Sequence, residues 1–383
     1  MAWEEAAVAA TEARVGSVLA AALLLPGIAI QAHAQSAPEQ GSVEVQALDY
    51  RDWQPGLQRI RVQAPSAHVL APIGSRWSVE GSLVSDSVSG ASPRHHTAVS
   101  GASRMSERRN AADATVKHYG EREDWSLGAA YSNEHDYRSR TVSGTYSWST
   151  EDNNRTWNIG LGHSGDTIGS SDDPSLHAHR LTWQATAGVT QVASAADLVQ
   201  WSLGLNVGHG TFSDPYKFPD IRPDHRNQAT SLLRWNHDLG ALDAVVRLGW
   251  RFYGDSFGVR ANTLDAAWVQ SFGDRLQLTP SLRYTTQRAA RFYVDPVYSA
   301  SLGEPFPPGY DGQHPVSEDQ RLSAFGALSA GLRVDVKLDA RWRLDASVER
   351  YEQRGSWRLG GDGSPGLAPF SARWFQLGVA CSF

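Results

Sequence analysis

The sequence is poor in cysteine and in long apolar segments. Its 383 residues include one cysteine, Cys381, so no disulfide can form within the chain. Beyond Ile30 no apolar segment approaches the roughly 20 residues that a membrane-spanning helix requires. These two absences exclude a small disulfide-stabilised fold and a membrane protein built from helices.

Two further absences concern function. The formal net charge is −6, which lacks the positive excess used to bind nucleic acid, so no nucleic-acid partner is expected. The sequence contains no Gly-x-Ser-x-Gly motif, no His-Glu-x-x-His motif and no phosphate-binding glycine-rich loop before a helix. We therefore expect no enzyme activity and no cofactor.

The last segment of the chain has an apolar residue at every second position. Phe375, Leu377, Val379, Cys381 and Phe383 alternate with small or polar residues. This period of two is typical of a strand with one apolar face, and a final aromatic residue resembles the assembly signal of bacterial outer-membrane β-barrels. We expect Phe383 to act in that signal, with the barrel-assembly machinery and periplasmic chaperones as partners.

The first 34 residues resemble a secretory signal peptide. An apolar run between Val15 and Ile30 is followed by Ala32-His33-Ala34, a small-x-small cleavage site. The acidic residues before this run depart from the usual basic start, which we interpret as a misplaced start codon. The predicted domains are a signal peptide (1–34) and a barrel (35–383).

About sixteen segments alternate apolar and polar residues over the 9 to 11 positions that a tilted transmembrane strand needs. The longest apolar stripe covers residues 322–336, with Leu328 at its middle. Short links alternate with long ones, and the long ones are residues 87–112, 163–177, 211–227, 290–320 and 355–371. The fold class is therefore predicted to be all-β: a transmembrane antiparallel β-barrel with long outer loops, short periplasmic turns and girdles of aromatic residues.

If the apolar faces contact lipid, the opposite faces point into the lumen. The predicted pore-lining residues are Glu80, Arg180, Arg247, Arg251, Arg283, Asp345 and Glu349. Such charges need water or a partner within a membrane. Two interpretations remain open: a water-filled pore with a charged wall, or a barrel filled by arginine–carboxylate pairs that conducts little.

Residues 87–109 are predicted to form a loop rich in small residues. Arg94, Arg104, Arg108 and Arg109 outnumber the single acid Glu107, so a loop folded into the lumen would make a basic constriction that favours anions. An ordinary surface loop is the alternative. Histidines are present, but no spacing typical of a metal site is found, and no metal is expected.

Four segments give the chain a family resemblance: residues 50–56 (YRDWQPG), 80–93 (EGSLVSDSVSGASP), 212–217 (FSDPYK) and 351–354 (YEQR). They resemble the proteobacterial family known as domain of unknown function 3570. The resemblance implies an outer-membrane protein without an assigned substrate or catalytic residue. It also implies an envelope redox process, because such proteins tend to be encoded near lipoproteins and periplasmic flavin-transfer or thioredoxin-like proteins.

Three functional hypotheses follow. The first is an outer-membrane porin or specific channel for small polar or anionic solutes, surrounded by outer-membrane lipid and lipopolysaccharide. The second is a scaffold barrel that holds a periplasmic lipoprotein or a flavin or thiol redox partner. The third is an outer-membrane hydrolase, since Ser, His and Asp are frequent in the predicted loops.

Overall fold

The computed structural model describes residues 36–93, 102–295 and 310–383. Its main body is one closed antiparallel barrel. The barrel strands are β1 (Ser42–Gln54), β2 (Leu57–Ile73), β3 (Trp77–Pro93), β4 (Ala102–Tyr119), β5 (Glu123–Asn133), β6 (Tyr137–Ser149), β7 (Arg155–Ile168), β8 (Ala178–Val192), β9 (Asp197–Gly210), β11 (His225–Leu239), β12 (Ala244–Asp255), β13 (Arg260–Phe272), β14 (Leu276–Arg288), β16 (Phe325–Lys337), β17 (Trp342–Arg354) and β18 (Phe370–Ser382). Two short strands, β10 (Asp220–Ile221) and β15 (Val316–Ser317), pair with each other outside the barrel sheet. Short 3-10 helices cover Gly240–Leu242, Gln320–Leu322 and Gly355–Trp357.

Each barrel strand pairs with its neighbours in chain order, and β1 pairs with β18 to close the barrel. The register runs from Ser42 opposite Ser382 to Trp53 opposite Ser371. The backbone amides of Gly41 and Phe383 each donate to the other's carbonyl oxygen at 2.9 Å. Closure leaves no free sheet edge, and the prediction of an antiparallel barrel of about sixteen strands is confirmed.

The two faces of the barrel wall differ as the alternation predicts. Large apolar side chains are exposed on the outer face, among them Val45, Leu127, Leu161, Leu205, Leu282 and Leu377. Aromatic residues gather near the turn end of the strands, where the rings of Trp148 and Trp157 stack at 6.4 Å. An apolar outer band with aromatic margins is what a lipid environment selects.

No helix in the described part of the chain is both long and apolar enough to cross a membrane.

The connections alternate between the two ends of the barrel. Short turns lie at one end, which we call the turn end, together with the start of β1 and the end of β18. The longer connections, residues 169–177, 211–224, 289–324 and 355–369, lie at the opposite loop end. Three connections at the loop end are short, contrary to a pattern of uniformly long outer loops: residues 55–56, 134–136 and 256–259.

The predicted loop over residues 87–109 is wrong in most of its length. Strand β3 continues to Pro93 and β4 begins at Ala102, with Ser87 paired to Arg108 and Asp86 to Arg109. Only residues 94–101 connect the two strands. The outer face of this hairpin carries Ser85 and Ser87 instead of apolar residues, because the strands extend beyond the apolar band, and the pattern that identifies a lipid-facing strand is lost there.

Much of the hydrophobic core lies inside the barrel wall, at its loop end. Leu48, Tyr50 and Val62 of β1 and β2 pack with Ala372 and Trp374 of β18. All five side chains point inward and are buried. A lumen filled with water at this level would leave them exposed, so the loop end of the lumen is filled by protein.

Candidate functional site

Three loop-end segments fold over and into the mouth of the barrel. We call the described parts of residues 211–224, 289–324 and 360–369 the lid. Residues 355–359 lie instead on the outer face of β14, where Tyr284 and Thr286 donate to the carbonyl oxygens of Trp357 and Leu359. Leu367 packs against Phe325 and Ala327 on the inner face of β16. Leu322 packs with Phe257 and Val259 at the turn between β12 and β13. The lid therefore makes apolar contacts with the wall that it covers.

A network of buried ion pairs joins two of the lid segments. Arg222 donates to Asp220 at 3.0 Å and to Asp319 at 2.7 Å. Arg321 donates to Asp214 at 2.7 Å and also pairs with Asp319. The carboxylates are at most 1% exposed. We call these five residues the latch, because Arg222–Asp319 and Arg321–Asp214 cross between residues 211–224 and 310–324.

Local turns place the latch residues. Asp214 precedes Pro215, and its side chain accepts a hydrogen bond from the amide of Tyr216 at 3.0 Å, which is the geometry of an Asx turn. Asp319 caps the 3-10 helix Gln320–Leu322 by accepting from the amide of Arg321 at 3.0 Å. Both carboxylates therefore have fixed backbone contacts as well as their arginine partners.

Two titratable lid residues have shifted pKa values. Burial lowers the pKa of Lys217 to about 8, against the opposing charges of Asp214 and Asp319. Burial raises the pKa of Glu318, which is 3% exposed, to about 8. Burial also raises the pKa of the latch carboxylate Asp220. Each shift favours the neutral form, as expected for charges moved out of water.

The wall beneath the lid carries buried polar groups from β1 and β2. Asp52 accepts from the hydroxyl of Tyr50 at 3.1 Å and from the amide of Ile60 at 3.0 Å. The guanidinium of Arg59 lies 5.2 Å from the ring centroid of Phe370, and within the described residues its Nε and Nη1 make no hydrogen bond. The positive charge of Arg59 also contributes to lowering the pKa of Lys217 in the lid.

All seven predicted pore-lining residues lie on the inward-facing positions of their strands, but three are buried. Arg180 is 2% exposed and donates to Asp166 at 2.6 and 2.9 Å. Asp345 is 2% exposed and lies 3.5 Å from Arg333. Glu349 is 7% exposed. These three are consistent with the filled-barrel interpretation in their part of the wall.

The other four predicted pore-lining residues retain access to solvent. The Glu80 side chain is 51% exposed and accepts a hydrogen bond from Nε2 of His68 at 2.8 Å. Arg283 pairs with Asp265 at 2.5 Å, and both side chains are partly exposed. Arg247 and Arg251 of β12 are also partly exposed. The lumen is therefore sealed at its loop end, whereas toward its turn end these four side chains are accessible to water and Asp345 is not.

Opposite charges face each other across this accessible part. Glu80 lies on β3, and β12 is eight strands away in either direction around the sixteen-strand barrel. Glu80 and Arg247 are each three positions from the turn end of their strand. Asp113 and Glu44 act electrostatically on His68 beside Glu80. The lumen thus has an excess of carboxylates around β3, where the inward Lys117 of β4 pairs with Asp124, and a basic wall around β12 formed by Arg247 and Arg251.

The four predicted constriction arginines do not form one lumenal loop. Arg94 lies outside the described residues. Arg104 belongs to β4, where its backbone pairs with Ala91. Arg108 is exposed on the outer face, whereas Arg109 points inward and donates to Asp86 at 2.6 Å. The continuation of β3 and β4 separates the side chains of Arg108 and Arg109 onto opposite faces.

Sequence reasoning missed the lid, the latch and the cluster formed by His209, Asp224 and His225. Asp214-Pro215 signals only a turn, and nothing local relates it to Arg321, which is more than a hundred residues away.

Phe383 is 67% exposed beside Gly41, and its role in assembly stays a prediction.

Comparisons with known proteins complete this description. No curated protein matches the chain. Among solved structures, CdiB from Acinetobacter baumannii is 10% identical with a TM-score of 0.49, covering 88% of this chain, which spans 60% of the CdiB length. The siderophore receptor PirA from Pseudomonas aeruginosa is 9% identical with a TM-score of 0.45, covering 91% of this chain and 81% of PirA. OmpT of Vibrio cholerae is 9% identical with a TM-score of 0.44, and the match covers 90% of this chain and 99% of OmpT.

A family model described as "Protein of unknown function (DUF3570)" matches residues 15–118, 102–177 and 169–374. The chain therefore belongs to the DUF3570 family, as its motifs indicated.

Proposed function

We propose that the protein is an outer-membrane channel for small polar solutes whose outer mouth is closed by the lid. The observation that carries the proposal is the contrast along the lumen. Several inward charges at the turn end are exposed, such as Glu80 at 51% and Arg343 at 53% of the side chain, although Asp345 at the same end is buried. At the loop end, inward residues such as Tyr50, Arg180 and Trp374 are buried. A charged wall that stays solvated serves passage of polar solutes better than it serves packing.

In this proposal the latch controls access. Its ion pairs are buried and have defined partners, so removal of one partner leaves an uncompensated buried charge, at a cost of about 3 to 5 kcal/mol. Loss of Asp319 affects both Arg222 and Arg321. The lid then opens more often, while the barrel keeps its closed sheet.

Planar-bilayer recording of the refolded protein tests the proposal. We expect rare openings in the wild type and a severalfold higher open probability in Asp319→Ala. Glu151→Ala is the matched control, because it removes a carboxylate from an exposed arginine pair in a turn at the other end of the barrel. Heat-modifiable gel mobility reports whether each variant has a folded barrel.

Three results are informative. A higher open probability in Asp319→Ala, but not in Glu151→Ala, supports a latched channel. Equal conductance of all three proteins overturns the lid's role but keeps the channel. Absence of conductance in every folded protein overturns the channel.

A second candidate function, a scaffold for a periplasmic lipoprotein or redox partner, is favoured by one observation. A cleft at the turn end is lined by Asp274, Arg275, Asp335, Lys337 and Arg343. Such mixed charges suit a polar protein surface. We propose that in either function the barrel acts without catalysis, embedded in outer-membrane lipid and lipopolysaccharide.

A further inference from the structure

Three side chains at the loop end form a compact group of metal-ligand types outside the lumen, and one of them, Asp224, is the last residue of a lid segment. His209, Asp224 and His225 each offer one ligand atom, and these atoms all lie within 4.8 Å of one another. All three side chains are exposed. Within the described residues, this is the one group of three or more histidines, cysteines or carboxylates with such spacing.

Strand pairing holds the group together. His209 near the end of β9 is directly opposite His225 at the start of β11, and the two ring centroids are 4.3 Å apart. The amide of Gly210 donates to the carbonyl oxygen of Asp224 at 2.8 Å, so the backbone on both sides of the group is anchored. The Asp224 carboxylate lies 2.6 Å from Nδ1 of His225.

We propose that His209, Asp224 and His225 bind a divalent transition-metal cation of the zinc type. Two imidazoles and one carboxylate are a ligand set that Zn²⁺ accepts, with water in the fourth position. Metal-to-ligand distances of about 2.0 to 2.1 Å require ligand atoms about 3.4 Å apart. The exposed side chains reach that separation by small rotations, since the strand ladder already fixes their backbones.

The position of the site separates it from the proposed channel. His209 lies two residues beyond Val207, whose side chain is 55% exposed on the apolar outer face. The cation is therefore held at the outer margin of the membrane, on the side of the wall that faces away from the lumen.

Zinc titration of the purified, refolded protein tests the site. After chelator treatment, isothermal titration with Zn²⁺ is expected to show one site per chain that is lost in the triple variant His209→Ala, Asp224→Asn, His225→Ala. His209→Ala or His225→Ala alone is expected to weaken binding at least about tenfold.

His314→Ala is the matched control. His314 also contacts a neighbouring carboxylate, Asp311, and is exposed, but no second histidine lies opposite it in a described strand pair. The absorption spectrum of bound Co²⁺ gives a readout of nitrogen ligation that does not depend on stability. Equal Zn²⁺ affinity in the wild type and the triple variant, or equal loss in His314→Ala, overturns the proposal.

Discussion

At the scale of single residues, depth in the membrane decides what a lipid-facing position tolerates. Leu328 and Leu332 lie on the outer face of β16 and are both 43% exposed. Leu332 is opposite Val348, whereas Leu328 is opposite Glu352, which pairs with Arg350 at 2.6 Å. The middle of the apolar stripe, placed at Leu328 by the sequence, therefore lies nearer Leu332.

This depth difference predicts unequal costs for one substitution. Leu332→Arg is expected to lower the free energy of unfolding by roughly 2 to 4 kcal/mol, because the charge is buried near the bilayer midplane. Leu328→Arg is expected to cost roughly 0 to 1 kcal/mol, because it lies near the interface. Reversible denaturant unfolding in lipid vesicles measures both, and equal costs would contradict the assigned depth.

The sequence predicts which face a residue occupies but not which partner it meets. Arg180 was correctly placed on the inward face from the period of its strand. Its burial against Asp166 depends on the β7–β8 register, in which the two residues are directly opposite. His209 and His225 are similarly brought together only by the β9–β11 register. Register follows from the closed barrel and is not a local property of either segment.

At the scale of elements, we propose that the inward arginines of β11 and β12, and not the predicted loop, set the selectivity of the proposed channel. Arg247 and Arg251 point into the accessible lumen from β12, and Arg234 points inward from β11. Because a narrow passage with low-dielectric walls strengthens the field of fixed charges, Arg247→Gln with Arg251→Gln is expected to shift the reversal potential under a salt gradient toward cations. Arg108→Gln removes an arginine from the outer face and is the control.

The comparison between these variants identifies the residues that set ion selectivity. An unchanged reversal potential in the double variant, measured on channels that conduct, would show that Arg247 and Arg251 do not set it. A shift in Arg108→Gln of the same size would show that total charge, not lumenal charge, sets selectivity. Neither substitution is expected to unfold the barrel, because each replaces a partly or fully exposed charge.

Element boundaries were predictable where lipid imposes a pattern and were missed where it does not. The apolar stripe identified the lipid-facing part of every long strand. Beyond the apolar band the outer face of β3 carries Ser85 and Ser87, so no alternation marks the continuation of β3 to Pro93. The residue Leu322 illustrates the opposite error, because it shares the stripe's parity yet lies in a 3-10 helix and is buried in the lid.

At the scale of the whole molecule, three of the four segments that carry the family resemblance converge on the closed mouth. Residues 50–56 and 351–354 form the loop ends of β1 and β17, and residues 212–217 belong to the lid. Tyr351 packs against the cluster that contains Tyr50. The sequence could not indicate this convergence, since the three segments are more than a hundred residues apart and meet only when the barrel closes and the lid folds inward.

Closure of the lid should depend on pH through Glu318 and Lys217. The pKa of Glu318 is about 8 under the lid against an ordinary 4.5, so from about pH 4.5 to 8 the closed state binds a proton that a hydrated carboxylate has lost. Rising pH in this window weakens closure. The pKa of Lys217 is about 8 against an ordinary 10.5, so from about pH 8 to 10.5 the open state binds the extra proton. Rising pH in this second window strengthens closure.

The two windows together predict that open probability in planar bilayers is greatest near pH 8 and falls severalfold on either side. Glu318→Gln is expected to remove the dependence below pH 8, because a neutral amide has no proton to lose. Lys217→Met is expected to remove the dependence above pH 8 and to favour the closed state at pH 7, because it eliminates a charge that closure takes out of water. Glu151→Gln and Arg122→Met, two single substitutions in an exposed ion pair at the turn end, provide the control for general effects of charge. A pH profile that is the same in all these proteins would show that neither lid residue titrates with closure, and the lid would then have to be held by its apolar contacts and the latch alone.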